Sequence, residues 1–134
     1  MTKSHQNIDV LKQIQSQRPS IISTKLVKFS LGSVVATPKA LALLARTGFT
    51  AAQLIERHIS GDWGACCIQD AAMNEDALMN GARIFSVYRL VEAKLLSELP
   101  RSQHHKLPTV WVITNAKNDA GVRDYTTVLL PECY

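Results

Sequence analysis

Over residues 37–80 the apolar positions recur at intervals of three and four, as they do on helices with one buried face. Ahead of them, Ser33-Val34-Val35-Ala36 reads as a short strand. Thr37-Pro38 opens the first helix, the threonine as N-cap and the proline at the first helical position, where its missing N–H costs nothing. Ala40, Leu41, Leu43 and Leu44 give it an apolar face, and Gly48 ends it. Thr50 begins the second helix, residues 51–59, with Ala51, Leu54, Ile55 and His58 close together on one side. A third helix is expected over residues 69–80, with Asp70, Glu75 and Asp76 in its first half, where the macrodipole favours acids. Ala71, Ala72, Leu78 and Met79 are its candidate buried positions, and Asn80-Gly81 closes it.

After Gly81 the pattern changes to runs rich in β-branched and aromatic residues, at 82–91, 109–115 and 125–130. Residues 116–124, with Gly121, form a polar hairpin loop between the last two runs. Residues 92–108 are too many for a tight hairpin and are expected to hold a helical turn. Helices gathered ahead of consecutive strands argue for an α+β fold rather than a parallel α/β sheet. The expected architecture is a short N-terminal strand and three helices packed on one face of a three-stranded antiparallel meander, over residues 31–134.

Residues 1–30 form a polar arm in which Ile8, Leu11 and Ile14 supply only a thin helical stripe, so poor order or docking on a partner is expected. This arm also carries the charge. It holds Lys3, Lys12, Arg18, Lys25 and Lys28 against Asp9, which equals the +4 of the whole chain and leaves the body neutral. Nucleic-acid attraction would therefore come through the arm. With 46% hydrophobic and 19% charged residues in 134, the composition suits one globular domain. No apolar run approaches the roughly 20 residues of a membrane helix, and the first residues lack a secretory signal, so a cytoplasmic location is expected. Cys66, Cys67 and Cys133 match no metal or redox spacing, and neither a metal nor a cofactor is expected.

The densest chemistry lies in the loop from His58 to Gly64. His58 and Asp62 are the best pair for proton transfer, since a histidine near neutral pKa can act as acid or base while a carboxylate fixes its tautomer. The structural alternative has His58 complementing a helix dipole and Asp62 bonding loop amides or capping the third helix. Gly61 and Gly64 suit a tight turn around Trp63, read as a ring that pins the loop to the core. Alternation puts Arg83 and Arg89 on one strand face, and Ser86 and Tyr88 on the other. The arginines could hold a phosphate or pair with helix acids such as Glu75. Ser86, Tyr88, Arg89, Thr126 and Thr127 are candidate binding residues, the threonines mattering only if they converge with His58 and Arg83. Cys66 and Cys67 read as small apolar fillers, and His104 and His105 as surface residues.

Several segments carry a resemblance to a known group of sequences. They are Val35-Ala36-Thr37-Pro38-Lys39-Ala40-Leu41, Ser60-Gly61-Asp62-Trp63-Gly64, Gly81-Ala82-Arg83-Ile84-Phe85-Ser86-Val87-Tyr88, Val110-Trp111-Val112-Ile113-Thr114 and Thr126-Thr127-Val128-Leu129-Leu130-Pro131-Glu132. Together they resemble a family of small bacterial proteins carried on plasmids and integrative elements, over residues 32–134. The resemblance implies a mobile-element setting without implying an activity. The chain departs from the family at Ala65, where an acidic residue is usual, and in the longer segment 92–108.

The leading expectation is an accessory protein of a mobile element that acts through protein–protein contacts, as a homodimer or with an unknown partner, away from membranes. The alternative is a metal-independent ribonuclease of the barnase or RelE type, with His58, Asp62 and Arg83 catalytic. That likeness rests on element order alone. A second alternative is a nucleic-acid-binding module working through the basic arm.

Overall fold

The computed structural model describes residues 8–9 and 26–134, and the remaining expectations for the arm lie outside the described residues. The elements are β1 (Ile8–Asp9), β2 (Ser33–Ala36), α1 (Pro38–Thr47), α2 (Ala51–Ile59), α3 (Ile68–Asn80), β3 (Ile84–Arg89), α4 (Ala93–Glu98), β4 (Thr109–Thr114) and β5 (Tyr125–Leu129). Short 3₁₀ turns at Arg101–Lys106 and Pro131–Cys133 complete the order. Segment 92–108 therefore holds α4 and one of these turns. Ile8–Asp9 pairs antiparallel with β2, where the apolar spacing suggested a helix.

The helix boundaries follow from local chemistry. The Thr37 hydroxyl accepts from the Ala40 amide at 3.2 Å, and Pro38 stands at the start. Thr50 and Gln53 form a reciprocal capping box at the start of α2. Gly48 and Gly81 end α1 and α3 in the left-handed conformation.

The fold is α+β, but its sheet is mixed. The order is β1-β2-β5-β4-β3. β3, β4 and β5 form the antiparallel meander, with Ser86 opposite Val112 and Ile113 opposite Thr127. β2 then lies parallel to β5, Val34 opposite Thr126, and so extends the meander instead of standing apart from it. Three helices separate β2 from the meander, so no tight turn dictates its direction.

Period-two alternation divides the sheet into two faces. Val34, Ala36, Ile84, Tyr88, Val110, Val112 and Val128 point to one side and are buried. Most of them join Ala40 and Leu44 of α1 and Leu54 and Ile55 of α2 in the main core. The third helix departs from the expectation of three helices on one face. α3 runs beside the outer edge of β3 and builds a smaller cluster from Ala77, Trp63 and Ile84. Its buried positions are Asn74 and Ala77, whereas Ala72 and Met79 are exposed. Meeting a strand edge takes a narrower stripe than meeting a sheet face, which leaves Ile68, Met73 and Met79 outside.

Candidate functional site

His58 projects from α2 onto the covered face of the sheet and is 0% exposed. Its partners fix its tautomer. Thr126 donates its only proton to the Leu31 carbonyl at 2.7 Å. The 2.7 Å contact between the Thr114 and Thr126 hydroxyls is therefore donated by Thr114. The Thr114 oxygen in turn accepts from His58 Nε2–H at 2.9 Å, and His58 Nδ1 accepts from the Ser86 hydroxyl at 2.6 Å. Every proton in this chain is committed. Burial, with the nearby Arg123 charge adding to it, pushes the His58 pKa down to about 3. Phe29 and Trp63 stack edge-on at 5.1 and 6.1 Å and close the remaining sides of the ring.

The ribonuclease constellation does not form. Arg83 precedes β3 on the opposite face of the sheet, lies over the Phe85 and Tyr134 rings, and donates to the Tyr134 hydroxyl. Asp62 is half exposed and forms a two-point pair with Arg57, at 2.7 and 3.3 Å. Strand alternation explains the failure: Arg83 and Ser86 are an odd number of residues apart, so the partner of His58 and the arginine face opposite ways. Among the candidate binding residues, Ser86 and Thr126 are spent in the histidine chain. Tyr88 is buried and donates to the Asp62 carbonyl at 2.6 Å, which leaves neither it nor those two open to a ligand.

The loop motif closes the edge of the sheet. Trp63 is 7% exposed and its indole N–H donates to Glu75 at 2.9 Å, so Glu75 serves the indole rather than an arginine. The Val87 amide donates to the Trp63 carbonyl at 3.1 Å and the Val87 carbonyl accepts from the Ala65 amide at 2.6 Å. Gly64 pairs with Val87 as a one-residue parallel bridge. A Cβ at Gly64 would stand 2.0 Å from the Val87 oxygen, so backbone could not approach this closely with any side chain present. Two residues back along β3, the Asn74 amide of α3 donates to the Phe85 carbonyl at 2.7 Å and accepts from the Phe85 amide at 3.0 Å. Asn74 thus mimics a neighbouring strand with one side chain. Asp62 bonds a loop amide, that of Gly64 at 3.1 Å, and leaves the capping of α3 to Cys67.

The cysteines divide in role. Cys66 is half buried, donates to the Phe85 carbonyl at 3.1 Å, and has its thiol pKa pushed up to about 11 by burial. Cys67 is exposed and accepts from the Asp70 amide at 3.4 Å, so it is a cap and not an apolar filler. His104 is also less exposed than expected, its Nε2–H pointing at the Leu96 and Leu99 carbonyls that end α4, at 3.2 and 3.1 Å.

What remains open is the other face of the sheet. Phe85 and Trp111 pack edge to face at 4.9 Å, and Tyr134 follows at 5.6 Å. Beside them runs a groove of about 680 Å³ whose lining includes Trp111, Phe85, Arg89, Arg46, His105 and Glu132. Arg89 donates to Thr109 at 2.7 Å, while its buried Nε has no partner among the described residues. Thr127 lies on this face, half buried. Among the described residues no cluster of His, Cys, Asp or Glu could hold a metal ion, and no helix is long and apolar enough to cross a membrane.

Sequence reasoning passed over Asn74, Thr114 and Arg123. The signal for Thr114 was present, since Ser86, Thr114 and Thr126 all occupy inward strand positions opposite a helix that carries an inward histidine. Arg123 is 2% exposed and donates to the carbonyls of Ala82, Asn115 and Ala77, at 2.7, 2.9 and 3.0 Å. Nothing local announced it. No family model, curated protein or solved structure matches this chain.

Proposed function

We propose that this protein is a non-catalytic accessory factor that works by contact with another protein, in the bacterial cytoplasm and the mobile-element setting its sequence resembles. The observation that supports this is the aromatic face of half-buried Phe85 and Trp111 and exposed Tyr134 beside an open groove. Aromatic rings and arginine at the centre of a concave surface are the residue types that carry binding energy in protein interfaces. The groove lining mixes Arg46, Arg89 and His105 with Asp70 and Glu132, which suits a polar rim better than a steering field. The histidine that would serve catalysis is committed to the core.

A second copy of the chain is the simplest occupant. Sedimentation velocity over a concentration series, on the native protein and on Trp111→Lys, tests it: association lost in the variant supports a dimer through this face. For a different partner, a photo-cross-linking residue at position 111 should trap one defined protein in the host cell, and the same residue at Asp119 should not. A monomer with no cross-link specific to position 111 sinks the proposal.

A further inference from the structure

A separate cavity of about 300 Å³ opens between α3 and the loop joining β4 to β5, and its charge is one-sided. Its lining includes Lys28, Lys117 and Arg123 with Ser30, Phe29 and Leu78, and no acidic side chain among the described residues. Neither lysine makes an ion pair among the described residues, where Arg57–Asp62 is the pair formed. Asp119 and Asp124 belong to the same loop but lie outside the lining, and Asp124 accepts from the Asn118 amide at 3.3 Å.

Two features make this more than an accidental cluster of surface lysines. Arg123 is 2% exposed and, among the described residues, meets only neutral carbonyls through three hydrogen bonds, so its charge has no counter-ion there although three of its five N–H donors are fixed. Lys117 and Arg123 also face each other as a directly opposed antiparallel pair. Like charges in that position repel, at a cost the fold could avoid with any neutral residue at 117. A bound anion removes the cost and turns three uncompensated cations into ligands. The Arg123 guanidinium, held rigid by its carbonyls over the Phe29 ring at 5.9 Å, supplies the fixed element, and the two lysines supply mobile point charges, that of Lys28 resting beside Gly61 and reaching the cavity by rotation of its side chain.

We propose that Lys28, Lys117 and Arg123 form a binding site for a phosphate group, carried by a small phosphorylated molecule or by a polynucleotide backbone. The site stands apart from the aromatic sheet face and does not depend on the protein-contact proposal.

The test is calorimetric titration of the full chain at pH 7.5 and fixed ionic strength with inorganic phosphate, adenosine monophosphate and a short single-stranded oligonucleotide. The variants are Lys28→Gln and Lys117→Gln. Arg123 is left intact, because its loss would unmake the fold. Saturable binding with a dissociation constant of about 1 mM or tighter is expected for at least one probe, weakened roughly tenfold by each variant. Tighter binding of the oligonucleotide with a steep salt dependence assigns the phosphate to a polynucleotide; equal or tighter binding of the small probes assigns it to a small molecule. In phosphate-free buffer, Lys117→Gln should leave the melting temperature unchanged or raise it, which a purely structural lysine would not do. No saturable binding by any probe, binding that both variants retain at full strength, or a melting temperature lowered by Lys117→Gln overturns the proposal.

Discussion

Protonating His58 would put a charge where every neighbour is already committed, as two hydroxyls or as aromatic edges. Its pKa of about 3 in the folded state lies below the 6.5 of a free histidine, so between these values the unfolded chain binds the extra proton. The contribution to stability is therefore full above pH 6.5 and is lost as pH falls towards 3, by about 1.4 kcal/mol per unit. His58→Gln should be less stable at pH 7.5 yet lose less on acidification. Urea unfolding at pH 7.5, 6 and 5 checks this, and equal slopes for the two proteins would refute it. Gly64 offers a second test at the same scale. Gly64→Ala combines a positive φ of 72° with a clash against the Val87 carbonyl and should cost about 3 kcal/mol or more. Gly48→Ala has a similar φ of 78° but open space around its Cβ, and should cost only about 1 kcal/mol. Chemical denaturation of both separates the clash from the dihedral.

At the level of elements, the edge of β3 is the instructive case. An exposed strand edge invites pairing with other chains, and here a turn motif and an asparagine cover it. Asn74→Ala leaves the Phe85 amide without its partner and the Phe85 carbonyl with the weak Cys66 thiol donor alone, at a cost of about 2 kcal/mol for part-buried groups. Amide exchange at Phe85 should accelerate more than at Val112 on the central strand, as hydrogen–deuterium exchange would register; uniform acceleration would mean that α3 has detached as a whole. The sequence announced helices α1 and α2 through threonine caps, a proline and a stop glycine, all of which act within one turn. It misjudged the inward side of α3. Ala72 and Met79 look like core residues, but what α3 meets is a strand edge that needs hydrogen bonds more than apolar area, and Asn74 supplies them.

For the molecule as a whole, the two tryptophans report on the two sides of the sheet. Trp63 is sealed between α3 and β3, whereas Trp111 lies half buried on the open face. Acrylamide should quench the emission of Trp63→Phe, which retains Trp111, about twofold or more efficiently than that of Trp111→Phe, in keeping with solvent-facing and core-facing indoles. Comparable quenching would mean that the aromatic face is covered, by a second copy or by the arm. Association through Trp111, if present, should protect it in proportion to protein concentration.

The sequence by itself determined the helix boundaries, the strand runs, the α+β class and the separation of Arg83 and Arg89 from Ser86 and Tyr88. Each of these depends on spacing within a single element. Only the tertiary structure decided that β2 joins β5 in parallel, that His58 is locked between hydroxyls from two strands, and that Arg123 sits uncompensated against Lys117. Those outcomes are set by contacts between residues 28 to 92 positions apart, or by the absence of a counter-charge in space, and local pattern carries no record of either.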